Sequence, residues 1–397
     1  MNPRLGLLKP YPFERLRELL AGIAPDEALK PINLSIGEPK HPTPAFVKAA
    51  LAGSLDGLAS YPATAGTPLL REAIAGWLRT RYGLRDIDPA TQVLPVNGSR
   101  EALFSFAQAV IDASGGPATV VCPNPFYQIY EGAALLAGAS PAYLNCTPGN
   151  GFRMAFDSLD ATTWSRTKLV YVCSPGNPTG AAMPLAQWKQ LFELSDRHGF
   201  VIASDECYSE LYYDEAAPPV GGLQAAAACG RDGYPGLVSF TSLSKRSNAP
   251  GLRSGFVAGD AAILKRYLLY RTYHGSAMSL PVQQASIAAW SDEAHVRENR
   301  QAYAAKYAAV LPLVPAAMEP RMPEGGFYLW LRTPIDDAAF VRRLHADYNV
   351  LALPGSYLAR DAQGGNPGSG YVRIALVAPL EDCVEAMQRI RQFATTL

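Results

Sequence analysis

Residues 169–208 read LVYVCSPGNPTGAAMPLAQWKQLFELSDRHGFVIASDECY. The uncharged apolar run Leu169–Cys173 ends in a turn-rich segment from Ser174 to Gly180. An amphipathic segment, Leu185–His198, follows between Pro184 and Gly199. Proline at the first position and glycine just past the last are the marks of a helix start and end. Leu185, Trp188, Leu191, Phe192 and Ser195 fall along one stripe of that helix, mostly apolar. A second buried-type run, Phe200–Ser204, closes the unit and delivers Asp205 at its end. Strand, crossover helix and strand in this order predict two parallel strands of an α/β sheet.

Outward from this unit, short apolar runs recur at Gln92–Val96, Thr119–Cys122, Ala142–Asn145, Leu237–Thr241 and Gly255–Ala258. Together they predict a mainly parallel seven-stranded sheet between helices, the core of a large domain over residues 51–285. The ends read differently. Residues 1–50 hold a helix, Pro12–Gly22, and a proline-rich extended piece. Residues 286–397 hold long helices, Ser286–Ala317, Asp337–Tyr348 and Leu380–Thr395, around short strands at Gly326–Leu331 and Gly370–Val377. These two ends are expected to pack together as a smaller α+β domain.

Thirty-five basic and 35 acidic side chains in 397 residues leave no net charge, which argues against a general nucleic-acid or membrane-surface binder. Two uncharged stretches, Gly132–Phe152 and Leu169–Trp188, have the length of a membrane span but are broken by prolines and glycines. Six cysteines without C-x-x-C spacing read as reduced thiols of a cytoplasmic protein, and neither they nor the five histidines have metal-ligand spacing. The N-terminal segment carries charges at Arg4, Lys9, Glu14, Arg15 and Arg17 and lacks the apolar core of a signal peptide.

Only nine of the basic residues are lysines. One, Lys245, follows the strand Leu237–Thr241 within Ser242-Leu243-Ser244-Lys245-Arg246, where neighbouring arginines favour a lowered pKa and a nucleophilic amine. Arg253, eight residues on, offers a fork for phosphate beside Ser242 and Ser244. Asp205 sits where parallel strands present ligand-binding groups, as a carboxylate able to keep a ring nitrogen protonated or as a plain helix cap. Asn177, in the turn after Cys173, can place an amide in the same crevice. Asn97-Gly98-Ser99-Arg100 follows the first strand and opens a helix whose free N–H groups suit an anion. Taken together, a phosphate, a ring nitrogen, a ring hydroxyl and an aldehyde carbon each find a partner. That is the demand of pyridoxal phosphate.

On these residues the chain resembles the class I/II aminotransferases, pyridoxal-phosphate enzymes of fold type I, from Ile36-Gly37-Glu38-Pro39 to Tyr371-Val372-Arg373-Ile374. The resemblance implies that Lys245 holds the cofactor aldehyde and shuttles the proton at Cα. It implies that Asp205 pairs with the ring nitrogen, that Asn177 and Tyr208 bond the ring hydroxyl, and that Tyr127 stacks on the ring. Gly98, Ser99, Arg100, Ser242, Ser244 and Arg253 would hold the phosphate. Tyr61 would reach the partner subunit's phosphate, which implies a homodimer with composite sites. Arg373, with the Gly37 backbone and Asn177, would bind the α-carboxylate of amino-acid and oxo-acid substrates. The run Ser244-Lys245-Arg246-Ser247-Asn248 and the opening Asn2-Pro3 to Pro42 are similar to the succinyldiaminopimelate aminotransferases of the bacterial lysine pathway. That similarity implies amino transfer between glutamate and N-succinyl-2-amino-6-oxopimelate, with Lys40, Arg100 and Arg246 as candidates for the distal carboxylates. An aromatic, alanine or aspartate aminotransferase, a cysteine-conjugate β-lyase and a non-catalytic binding protein on the same scaffold stay open.

Overall fold

A computed structural model describes residues 1–397. Its main sheet has seven strands in the spatial order Val93–Val96, Gly255–Gly259, Leu237–Ser242, Val201–Asp205, Thr167–Cys173, Thr119–Asn124 and Ser140–Asn145. All neighbours are parallel except Gly255–Gly259, which runs antiparallel to both of its partners. Each expected strand is present with ends shifted by at most a few residues, and the helix Leu185–His198 has the expected bounds. Its Gly199 cap adopts φ 74°, the left-handed turn that glycine enters without strain.

Alternate residues of the strands feed opposite faces of the sheet. Val170, Val172 and Ile202 join the cluster around Trp77, Trp188 and Trp290, while Leu169, Tyr171, Ala203 and Phe240 join that around Phe106, Tyr130 and Tyr267. Both faces are therefore covered, which is why the strand sequences run apolar without alternation.

A second core forms where the chain ends meet. Leu16, Ile32 and Leu34 pack with Leu329, Val372, Ile390 and Phe393, and Ile32–Asn33 pairs in parallel with Val350–Leu351. Beside it lies an antiparallel sheet in the order Leu353–Pro354, Tyr371–Ala375, Tyr328–Arg332. The helix expected over Ser286–Ala317 is instead two, Leu280–Trp290 and Ala294–Val310. Asp292 breaks it by accepting the backbone N–H of His295 at 3.0 Å, a capping bond that competes with helix continuation. No helix is long and apolar enough to cross a membrane.

Candidate active site

The register of the parallel strands sets Cys173 beside Asp205 and Asp205 beside Phe240, so these strands end together at one edge of the sheet. Side chains just past that edge enclose a cavity of about 640 Å³, within the range of small-molecule sites. Twelve of the residues expected at the site line it: Gly37, Ser99, Arg100, Tyr127, Asn177, Asp205, Tyr208, Ser242, Ser244, Lys245, Arg253 and Arg373. They come from segments spread between residues 37 and 373, and Gly37 and Arg373 belong to the region where the chain ends meet.

Lys245 stands in the short helix Leu243–Arg246 that follows the strand Leu237–Ser242. Its Nζ donates to the carbonyl oxygen of Gly37 at 2.6 Å and lies 5.4 Å from the centre of the Phe327 ring. Burial lowers its pKa to about 8; Cys207 and Glu38 oppose the shift, while Arg373 and Arg100 add to it. The amine is thus neutral just above physiological pH, where an ordinary lysine near 10.5 is still charged. Acylation of Lys245 by acetic anhydride in the cofactor-free protein should therefore rise with pH and level off above about 8. A plateau only near 10.5 would show an unperturbed lysine.

Asp205 is 5% exposed. Its carboxylate accepts from Tyr130 Oη at 2.5 Å and from the Cys207 backbone N–H at 3.2 Å. Burial raises its pKa against these bonds, and no cation is among its neighbours. A buried carboxylate lacking a counter-charge is the partner that a protonated ring nitrogen requires. Elsewhere on the cavity lining Tyr127 Oη accepts from Arg100 Nε at 2.5 Å, and the Tyr208 and Tyr328 hydroxyls lie 2.9 Å apart.

The anion-binding corner gathers around the N-terminus of the helix Ser99–Val110. Gly98 does not line the cavity but shapes it. At its φ of 84° a Cβ would come within 2.5 Å of the Arg253 guanidinium, so only glycine admits that side chain against the helix start. Arg253 itself holds φ 53°, a left-handed conformation that costs a non-glycine residue energy and is often found at functional sites. Its guanidinium donates to the Pro250 carbonyl at 3.0 Å. Ser242 Oγ accepts from the Ser244 N–H at 3.3 Å, and Cys207 Sγ donates to Ser99 Oγ at 2.9 Å. Hydroxyls, helix N–H groups and a guanidinium without a carboxylate partner form a donor set suited to a phosphate.

Arg373 is 4% exposed, on the middle strand of the smaller sheet. It donates to Asn177 Oδ1 at 3.0 Å and to the Ser35 carbonyl at 2.7 Å, while its buried Nε has no partner. An orphaned donor on a buried guanidinium is an opening for a carboxylate. Its fork lies over the Tyr328 ring, 4.5 Å from the centroid. Gly37 beneath is held to glycine by contact: a Cβ there would lie 1.8 Å from Tyr328 Oη.

Two expectations for the distal carboxylates need correction. Arg246 is 1% exposed and points away from the cavity, pairing with Glu293 and donating to the Ala289 carbonyl at 2.6 Å. Successive helix residues point about 100° apart, so the neighbour of a cavity-facing lysine faces the interior. Lys40 pairs with Glu38 at 2.9 Å in solvent and does not line the cavity. Arg100 does. Tyr61 is fully exposed on the single chain and lies outside the cavity. Sequence reasoning missed Tyr11, Phe13, Glu38, Cys207 and Tyr328 as lining residues and Tyr130 as the hydroxyl on Asp205. Of these, Glu38 lies in Ile36-Gly37-Glu38-Pro39, Cys207 between Asp205 and Tyr208, and Tyr130 three residues after Tyr127.

The same architecture recurs in known proteins. An aminotransferase from Neisseria meningitidis Z2491 superposes with a TM-score of 0.96 at 54% identity, covering 99% of this chain and 100% of that one. An LL-diaminopimelate aminotransferase of Nitratidesulfovibrio vulgaris (strain DSM 19637 / Miyazaki F) is 31% identical over 98% of this chain and 97% of its own. A 4-dedimethylamino-4-oxo-anhydrotetracycline transaminase of Streptomyces rimosus is 35% identical over 90% of this chain and 92% of its own. Residues 30–390 match the family model described as aminotransferase class I and II, and the chain belongs to that family of pyridoxal-phosphate-dependent enzymes.

Proposed function

We propose that this aminotransferase moves an amino group between L-glutamate/2-oxoglutarate and N-succinyl-2-amino-6-oxopimelate, a step of lysine biosynthesis through diaminopimelate. The observation that carries the reading is the buried Arg373 guanidinium, with an unpartnered Nε, on a cavity of about 640 Å³ that leaves room for a long substrate beside the cofactor. Likeness to an LL-diaminopimelate aminotransferase supports the same carbon skeleton.

In this reading residues 51–285 carry the cofactor, and residues 1–50 and 286–397 form the smaller domain. The protein works in the cytoplasm as a homodimer, with the exposed Tyr61 completing the partner's phosphate site. Gly98, Ser99, Arg100, Ser242, Ser244 and Arg253 hold the phosphate, Asn177 and Tyr208 the ring hydroxyl, Asp205 the ring nitrogen, and Tyr127 the ring face. Pyridoxal phosphate, when bound, supplies the electron sink that makes the substrate Cα–H acidic. Arg373 binds the α-carboxylate and orients that bond, with the Gly37 backbone beneath. The Lys245 amine, neutral near pH 8, takes the Cα proton and returns it. The buried walls around Tyr208, Phe327 and Tyr328 keep water from the exchange.

Amino transfer from glutamate to the succinylated oxo acid, run beside plain oxo acids, tests the substrate. The succinylated acceptor should have the highest kcat/KM, by about tenfold or more. A second reading, an aminotransferase for another amino acid, is favoured by the higher identity to the tetracycline-pathway transaminase. Preference for an aromatic or short oxo acid would establish it. Arg373→Ala should lower kcat/KM about a hundredfold for every carboxylate substrate, mostly through KM, as expected when a buried charge partner is lost. Loss confined to one substrate would mean that Arg373 reads a distal group.

A further inference from the structure

The three residues after Lys245 are absent from the cavity lining and grip the segment from the end of the helix Leu280–Trp290 into the helix Ala294–Val310. Arg246 pairs with Glu293 and donates to the backbone carbonyls of Ala289 at 2.6 Å and Asp292 at 3.2 Å. Ser247 Oγ lies 2.8 Å from His295 Nε2, and His295 Nδ1 lies 2.6 Å from the Asp292 carboxylate. The carboxylate fixes the ring proton on Nδ1, so Nε2 accepts from the serine hydroxyl. Asn248 Nδ2 donates to Asn299 Oδ1 at 3.0 Å. Asn299 in turn donates through Nδ2 to the backbone carbonyl of Lys245 at 3.2 Å.

These partners lie at the break between the helices Leu280–Trp290 and Ala294–Val310 and on the first turns of the second. His295 and Asn299 are four apart and share one helical face. The third contact of Asn299 is His41, whose Nδ1 lies 2.9 Å from Oδ1, and Thr43 Oγ1 donates to the Asn248 carbonyl at 2.6 Å. Arg246, Ser247, Asn248, His295 and Asn299 are all buried. Arg246 Nε and Asn248 Oδ1 are left without a partner, but the bonds that are made tie several buried polar groups into one arrangement that is costly to lose. Asn248 adopts φ 49°, a left-handed turn that asparagine tolerates, and the chain reverses there toward Arg253.

We propose that Arg246-Ser247-Asn248 is a clamp that fixes the Lys245 backbone to the helix Ala294–Val310, and that Asn299 is the positioning residue at its centre. The clamp rests on the reading of Lys245 as the reacting amine. It joins three separate stretches, around residues 41–43, 245–248 and 292–299, so the amine is aimed by the same contacts that seat His41 and Thr43 against the helix Ala294–Val310 and the turn at Asn248. Near Lys245 the charged and titratable groups are Glu38, Cys207, Arg100 and Arg373, and none belongs to the clamp. Disrupting the clamp therefore acts on the placement of Nζ and leaves its charged neighbours in place.

Two variants test it: Asn299→Ala, and Asn299→Leu, which keeps the branching at Cγ and removes both donor and acceptor. Each should lower kcat about tenfold with KM for glutamate within about twofold. Each should also move the pH midpoint of Lys245 acylation in the cofactor-free protein upward by about one unit, as a displaced amine regains water. Ser247→Ala, which cuts the His295 tie alone, should shift both readouts the same way by less. A folded Asn299 variant with unchanged kcat and midpoint overturns the clamp; should both fail to fold, an unmoved midpoint in Ser247→Ala overturns it. If borohydride still fixes the cofactor to Lys245→Ala protein, the lysine assignment itself has failed. If reduction leaves that variant unlabelled while the midpoints stay fixed, only the clamp has.

Discussion

Lys245→Ala protein, loaded with cofactor, should hold none that borohydride fixes to the chain, and its amino-transfer rate should fall by about 10⁴-fold or more. Two losses add in this variant. The first is the amine that holds the cofactor aldehyde, so the aldehyde stays free. The second is the base for the Cα proton, and a positioned proton-transfer group alone is worth about 10²–10⁴-fold. The neighbouring wall offers no substitute: Tyr208 and Tyr328 are pushed to higher pKa by burial and hold their protons. Small amines added to the assay should restore part of the rate, since the pocket left by the side chain opens onto the cavity. A Lys245→Ala protein that still fixes cofactor on reduction and turns over would place the reacting amine elsewhere.

Asp205→Ala should bind the cofactor yet turn over about 10³-fold more slowly, within the range for electrostatic stabilisation of developing charge. The physical reason lies in the burial of the carboxylate. Tyr130 Oη and the Cys207 N–H donate to it, and Asp205 lines the cavity. With the cofactor absent, burial pushes the Asp205 pKa up; a ring N–H placed against it reverses that push, because opposite charges favour each other's ionised form. Without the carboxylate the ring nitrogen gives up its proton and withdraws electrons poorly. Asp205→Glu should recover little, since the extra methylene displaces the oxygens from Tyr130. Near-normal activity in Asp205→Ala would show that another acid serves the ring.

The residues that announce themselves in the sequence are those placed by local rules. Asp205 ends an apolar run, Lys245 follows one, Ser99 opens a helix after a glycine, and all three line the cavity. The seven strands were legible because both faces of the sheet are covered and each strand is a compact apolar run. What escaped is set by tertiary contact. Tyr130 reaches Asp205 across 75 residues, and Tyr328 reaches Tyr208 across 120, and nothing in their flanking sequence points to either meeting. Arg246 was misplaced for a different reason. Its motif is similar to a substrate-specific group, but helical rotation turns its guanidinium into the interior toward Glu293. The break after Trp290 was readable in principle, since Ser291-Asp292-Glu293 is a capping pattern that an otherwise helical stretch obscures.

The central claim is that one amine of nine lysines carries the cofactor, at the edge of the sheet beside Asp205. Borohydride reduction of the cofactor-loaded enzyme fixes the cofactor on the amine that holds it, and peptide mapping then identifies the residue. The pyridoxyl label should fall on Lys245 with one equivalent per chain. Label on any other lysine, or none on the peptide containing Ser242-Leu243-Ser244-Lys245, would contradict the account.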